Sequence, residues 1–229
     1  MLLKSSISDI VIHSDDWFAG RLAKFTSSEI HNLMGERGLG DTGIRYIYRK
    51  VGEELTGKPC RKEISTEATE HGHINEPLNL RKFASILGLE YLVTQKLIIP
   101  IGGREGSTPD AIIPKSERSS KDGYDVTTVE AKCPSSYDNY IRLWKCKTPQ
   151  DVKKANSTYY WQVLHQMRVC GALDGYLTIF HPDFKAGDIN IVKFKKVDLL
   201  SDFKTLNDRV EEAVKIFNET RDEMINSQM

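Results

Sequence analysis

Residues 126–134 read Val-Thr-Thr-Val-Glu-Ala-Lys-Cys-Pro. The β-branched opening predicts a strand over Val126–Ala131, and Pro134, which has no N–H to give a ladder, stops it. A period of two places Thr128, Glu130 and Lys132 on one face, with Val129 and Ala131 on the other. The second face is small and apolar, suited to packing against a helix. The first carries a carboxylate and an ammonium side by side near the strand's end. Upstream, residues 107–113 read Ser-Thr-Pro-Asp-Ala-Ile-Ile, so Asp110 stands at the entrance to another apolar run, just after Pro109.

Strands are also expected at Tyr91–Thr94, Lys96–Ile101 and Ala111–Ile113, from their β-branched content. Downstream, Asn156–Gly171 reads as a helix, with Tyr159, Val163, Met167 and Cys170 on one side. Strands at Gly175–His181 and Ile189–Lys195 follow. A final amphipathic helix carries the stripe Phe203, Leu206, Val210, Val214 and Phe217. Towards the N-terminus, Ser27 or Ser28 can cap a helix starting near Glu29 and running through Ile30, Leu33 and Met34. The glycines Gly35, Gly38, Gly40 and Gly43 form a connection to a helix through Ile44, Ile47, Tyr48, Val51 and Leu55. They resemble a phosphate-cradling loop only superficially, lacking a preceding strand and a GK[ST] ending. A helix from about Ser65 to Leu87 carries Glu70 and Glu76 and an apolar side of Leu80, Phe83, Ala84 and Leu87. Pro77 falls inside it, which implies a kink or two shorter helices. This order predicts an α/β fold of the α+β kind, a central mixed sheet flanked by helices. One domain is expected over residues 1–229: a helical part to about 60, a sheet core over about 65–200 and a terminal helix over about 201–225.

The chain has 229 residues, 39% hydrophobic and 28% charged, enough to bury a core without disulfides. No apolar run approaches bilayer-spanning length, and the opening Met-Leu-Leu-Lys-Ser-Ser lacks the layout of a secretory signal. A cytoplasmic location and no membrane partner are therefore expected. Cys60, Cys133, Cys146 and Cys170 are scattered without metal-ligand spacing, which fits reduced, mostly buried thiols and excludes a zinc-finger or iron–sulfur pattern. Net charge is zero, yet between Lys132 and Lys154 six basic residues face only two acidic ones. Arg142, Lys145 and Lys147 in that stretch are candidate phosphate contacts, although a solvated surface loop has the same composition.

Two carboxylates beside a lysine suit phosphodiester hydrolysis. Mg²⁺ takes hard oxygen ligands, which Asp110, Glu130 and the carbonyl of Ala131 can supply, and Mn²⁺ accepts the same donors. Lys132 can position water or offset charge developing on the phosphate. The spacing alone is weakly specific, because Glu and Lys two apart on a strand also make surface ion pairs.

Five blocks in order narrow this. The segments Asp15–Leu33 (DDWFAGRLAKFTSSEIHNL), Glu70–Pro77 (EHGHINEP), Thr108–Asp110, Glu130–Pro134 and Tyr159–Met167 (YYWQVLHQM) together resemble the PD-(D/E)xK nuclease superfamily. Within it they are similar to the lambda exonuclease or YqaJ-type viral recombinase family. The resemblance spans roughly Asp15 to Phe180. It implies a restriction-endonuclease-like core and a metal-dependent DNA exonuclease acting 5′→3′ on linear duplex to leave 3′ single-stranded tails. Endonuclease action, or a non-catalytic DNA-binding module on the same fold, are the alternatives. By resemblance, Asp110, Glu130, Lys132 and Gln162 are catalytic, and Glu76, Asp110, Glu130 and Ala131 hold metal. Arg21, Ser28 and Thr108 bind a 5′-terminal phosphate, and Gln166, one turn beyond Gln162, is a further candidate DNA contact. A ring-shaped homotrimer, double-stranded DNA ends, a single-strand annealing partner and a bacterial or phage-infected cytoplasm are implied as well. The chain departs from the family in two places. Pro100 stands where some members carry an extra acidic residue, leaving Glu105 as the nearest carboxylate. Tyr137 stands where some place a basic residue, for which Arg142 is the nearest substitute. His73 and His165 read as structural histidines rather than ligands.

Overall fold

The computed structural model describes residues 5–9, 14–60, 66–94, 96–100, 103–116 and 125–227. In chain order the elements are β1 (Ser5–Asp9), α1 (Asp15–Arg21), β2 (Phe25–Thr26), a 3₁₀ turn Ile30–Leu33, α2 (Gly40–Thr56) and α3 (Glu67–Leu87). There follow β3 (Lys96–Pro100), β4 (Glu105–Gly106), β5 (Ala111–Pro114), β6 (Val126–Lys132), α4 (Tyr137–Trp144), α5 (Pro149–Ala155) and α6 (Ser157–Val169). β7 (Asp174–Phe180), β8 (Ile189–Lys195), a 3₁₀ turn Lys196–Leu199 and α7 (Leu200–Asn226) complete the chain.

The central sheet has the order β5-β6-β7-β8 and is mixed: β6 and β7 run parallel, and both outer pairs are antiparallel. Small sheets pair β1 with β3 and β2 with β4. The expected architecture is thus present, with helices on both faces. Leu80 and Phe83 of α3 pack on Ala111, Val129 and Ala131, the small apolar face read from the sequence. On the other face, Val163, Leu164 and Met167 of α6 join Leu177, Ile179, Val192 and Phe194 in the main core, which reaches Phe203, Leu206, Val210 and Phe217 of α7. The Thr128–Glu130 face, which carries the polar residues, is buried as completely as the apolar one.

Several local expectations are corrected. The helix expected from Glu29 is a four-residue 3₁₀ turn, and neither Ser27 nor Ser28 caps it. The first sixty residues contain β1 and β2 as well as helices, because their strand partners lie far along the chain, beyond the reach of local periodicity. Tyr91–Thr94 is not a strand. It contributes a single bridge, Val93 to Ile112. Ile101 and Ser65, at the edges of an expected strand and helix, lie outside the described residues. Pro77 does not divide α3 into two helices, since it sits on the exposed side, where water can serve the backbone group that loses its partner. The basic stretch after Lys132 is not a loop. Thr148 and Asp151 form a reciprocal capping box with Pro149 at the helix start, which launches α5, and Asn156 ends α5 while capping α6.

The approach of α6 to the sheet depends on Gly175. A Cβ there would stand 2.9 Å from Met167 Cγ and Sδ, and 3.0 Å from Thr128 Oγ1. A side chain there would force Met167 or Thr128 to shift. Gly175→Ala is expected to destabilise the fold by about 1–3 kcal/mol through overpacking, measured as a lower midpoint in urea unfolding.

Candidate active site

Asp110 occupies the bend before β5, where the β5–β6 ladder has ended. Its Oδ2 accepts the Ala131 N–H at 2.7 Å, replacing the missing ladder bond and holding the carboxylate against the end of β6. The N–H and C=O of one strand residue point to the same side, so the Ala131 carbonyl faces this edge too.

Glu130 is 1% exposed. Its Oε1 accepts from Lys132 Nζ at 2.5 Å and from Gln162 Nε2 at 2.5 Å, and its Oε2 accepts from Gln166 Nε2. The two glutamines lie one turn apart on α6 and grip both carboxylate oxygens. Lys132 Nζ also lies 5.0 Å over the Tyr159 ring. Gln166, expected as a further DNA contact, is fully buried and donates to Glu130.

Glu76 comes from α3, on the opposite face of the sheet. Two side chains that the sequence reading passed over fix that helix to the end of β6. His71 Nδ1 meets the Cys133 carbonyl at 3.1 Å, and Asn79 Nδ2 donates towards the Thr178 and Lys132 carbonyls at 3.4 and 3.5 Å. Asn79 lies three residues beyond Glu76, on the same helix face, and that spacing was the available signal.

The electrostatics join these groups. Burial, then the charges of Glu130 and Glu76, hold the Asp110 carboxyl well above its usual range, against the opposing pull of Lys132 and the Ala131 N–H. Glu76 is raised by burial and by Glu130. Burial opposes the Lys132 ammonium, but Glu130 and Asp110 outweigh it and raise its pKa. Asp110, Glu130 and Glu76 thus feel one another's charge and that of the Lys132 ammonium, and their oxygens are of the kind a hard divalent cation takes. They do not form a closed cage: among the described residues no three Asp, Glu, His or Cys side chains converge on one point.

A second cluster lies at the end of α1. Arg21 stacks on Trp17, 4.0 Å from the ring centroid, and its Nη2 donates to Ser28 Oγ at 3.2 Å. A cavity of 280 Å³ beside it is lined by Phe18, Arg21, Thr26, Ser28, Arg49 and Lys50 and by the acids Glu29 and Glu53, which pair with Lys50 at 3.2 and 3.1 Å. The buried hydroxyls of Thr26 and Thr108 find no partner among the described residues. Thr108 is two residues from Asp110, so the loop that carries it runs directly into the carboxylate cluster. A larger groove of 730 Å³, lined by Arg45, Tyr48, Arg49 and Lys58, follows α2 and includes none of the residues around Glu130.

The remaining candidates lie elsewhere. Arg142 Nη2 donates to Asn139 Oδ1 at 2.9 Å, Lys147 Nζ to the Trp144 carbonyl at 3.3 Å, and Lys145 is exposed, so these cations sit on their own segment and not on the carboxylates. Tyr137 donates to Asp183 at 2.9 Å and packs on His181 and Phe184, a scaffolding contact. Glu105 cannot stand in for the acid missing at Pro100. It is held by Arg168 Nε at 2.7 Å and lies 3.1 Å from His165 Nε2. His165 is fully buried, as a structural histidine should be.

Residues 16–173 match the YqaJ-like viral recombinase domain. The chain belongs to that family. The matched span contains every candidate of both clusters. No curated protein matches the sequence. The fold of this YqaJ-like domain is similar to that of an alkaline exonuclease from Laribacter hongkongensis, with a TM-score of 0.73 at 18% identity, covering 94% of this chain and 98% of that one. The same enzyme in complex with dAMP gives 0.72 at 19% identity, covering 94% and 98%. A phage-related exonuclease from Haemophilus somnus 129PT gives 0.64 at 14% identity, covering 90% and 96%. Among the described residues no helix is long and apolar enough to cross a membrane. The described cysteines are free thiols, Cys60 exposed and the other three buried.

Burial alone would raise the Glu105 carboxyl, but His165 and Arg168 bring it down to about 2, from an ordinary 4.5. A carboxylate depressed in the folded state contributes stability that is complete above its unfolded pKa and is lost as pH falls through the folded one. The YqaJ-like domain should therefore lose on the order of 2–3 kcal/mol between about pH 5 and pH 2 through this group. Glu105→Gln should be less stable than the parent near neutrality and show a flatter acid limb, read by urea unfolding at a series of pH values.

Proposed function

We propose that this YqaJ-like domain is a divalent-metal-dependent DNA exonuclease that degrades one strand of linear duplex from its 5′ end and leaves 3′ single-stranded tails. The observation that carries the reading is the meeting of Asp110, Glu130 and Lys132 at the end of one strand. Family membership supports it. So does the likeness in fold to two exonucleases, one of them studied with dAMP, a deoxynucleoside monophosphate.

In this reading Glu76, Asp110, Glu130 and the Ala131 carbonyl would hold Mg²⁺, and Mn²⁺ would suit the same oxygens. The metal, when bound, would polarise the scissile phosphate and lower the pKa of a coordinated water. The chain's own groups do the rest. Asp110 is fixed by the Ala131 N–H, so little reorganisation is needed when charge arrives. Lys132, drawn to Glu130 and stacked over Tyr159, keeps an ammonium beside the reacting phosphate and offsets the negative charge that grows there. Gln162 orients Glu130. Arg21, Ser28 and Thr108 receive the terminal 5′ phosphate, for which a guanidinium and free hydroxyls are suitable donors. Arg142, Lys145 and Lys147 contact the duplex backbone further along. A homotrimeric ring, a single-strand annealing partner and action in the cytoplasm complete the proposal on the strength of the family resemblance.

Linear duplex labelled separately at its 5′ and 3′ ends tests this. Mg²⁺ should promote loss of the 5′ label first, excess EDTA should stop it, and covalently closed circular DNA should remain intact. Loss of the 3′ label first, or cleavage of the circle, would refute the exonucleolytic polarity or the end requirement respectively. Lys132→Ala should reduce cleavage by roughly a hundredfold or more while leaving DNA binding measurable. Undiminished cleavage would remove Lys132 from the mechanism.

A further inference from the structure

The loop that carries Ser28, the segment that leads into Asp110, and the helix that grips Glu130 meet at one buried junction. Ser27 Oγ lies 2.9 Å from Ser107 Oγ and 2.8 Å from His165 Nδ1. All three are sealed from solvent: Ser27 is 4% exposed, Ser107 1% and His165 not at all. Each belongs to a different functional part. Ser27 precedes Ser28 in the wall of the Arg21 cavity. Ser107 is three residues before Asp110 and is tied in both directions to Ile98 by backbone hydrogen bonds of 2.9 and 2.8 Å. His165 lies between Gln162 and Gln166 on α6, and the far side of its ring faces Glu105, which in turn grips Arg168 one turn further on.

The junction makes the two clusters mechanically one. Packed interiors have little slack, so a displacement at one member is passed to the others rather than absorbed. When Arg21 and Ser28 close on a phosphate, Ser27 moves with its neighbour. Its hydroxyl then pulls on His165, and so on the helix turn carrying the two amides that hold Glu130. Through Ser107 it also acts on the start of the Thr108–Asp110 segment. Neither Ser27 nor His165 needs to touch DNA for this.

We propose that Ser27, Ser107 and His165 form a positioning junction that makes cleavage depend on capture of a 5′-terminal phosphate, by coupling the Arg21–Ser28 cavity to the setting of Asp110 and Glu130. The inference rests on the exonuclease reading given above. It goes beyond that reading by assigning the coupling to residues outside both the phosphate cavity and the catalytic cluster.

The test compares steady-state kinetics on duplex ends bearing a 5′ phosphate or a 5′ hydroxyl, for the parent protein, Ser27→Ala and Ser107→Ala. His165→Ala empties a fully buried site and can fail to fold, so the serine variants, each losing one oxygen, carry the test, with thermal melting to check the fold. The parent should cleave phosphorylated ends faster. Each serine variant should lose most of that preference through a lower kcat on phosphorylated ends, a fall of about five- to tenfold, with KM changed less than about twofold. Arg21→Ala should instead raise KM for the phosphorylated end. A parent that discriminates and serine variants that discriminate equally, or lose rate equally on both ends, would overturn the junction while leaving the exonuclease reading intact. A parent that ignores the 5′ phosphate would overturn the junction alone, and a parent that does not cleave linear duplex would overturn both.

Discussion

The structure is organised around a carboxylate that has been taken out of water. Glu130 lies in the middle layer, under α6, where an uncompensated charge would cost several kcal/mol. Three donors meet its two oxygens, an ammonium from its own strand and two amides from the helix above. That requirement dictates much else. The helix must present hydrogen-bond donors one turn apart on a face that would otherwise be apolar, and it must come close enough for amides to reach. Gly175, which has no Cβ to hold Met167 away, permits the approach. A buried acid satisfied in this way is held in one orientation.

The charge around it is deliberately unbalanced. Asp110 and Glu76 are both pushed towards their neutral forms, while Lys132 is pushed towards its charged form. Burial is the first cause of the rise at Asp110 and Glu76, with the neighbouring carboxylates adding to it, whereas at Lys132 the charges of Glu130 and Asp110 outweigh burial. The tight clamp on Asp110 by the Ala131 N–H shows how the sheet contributes, since ending β5 one residue early frees a backbone donor for a side chain.

Around this centre the smaller elements act as connectors. The short parallel pair β2–β4 holds the loop of residues 25–28 against residues 105–107. The Arg21 cavity and the Asp110 segment are thereby fixed as one body, although 80 residues separate Ser27 from Ser107 in sequence. Glu105 is engaged in this connection, with Arg168 and His165 as its partners. On the other face, α3 brings Glu76 to the strand end because His71 and Asn79 hold it to the carbonyls there.

Local patterns in the sequence determined the strand over Val126–Ala131, the alternation of its faces, the amphipathic α6 and α7, and the mixed sheet flanked by helices. These are legible because each is written in periodicity or in residues within a few positions of one another. The capping box before α5 was equally local and could have been read. Only the tertiary structure decided that the polar face of β6 is buried, that Gln166 supports Glu130 and does not face outward, that Glu105 serves a buried ion pair, and that Ser27, Ser107 and His165 meet. The reason is physical. A side chain's type limits what it can bond, but whether it faces water or a partner is set by segments that are distant in sequence and come together only when the core closes.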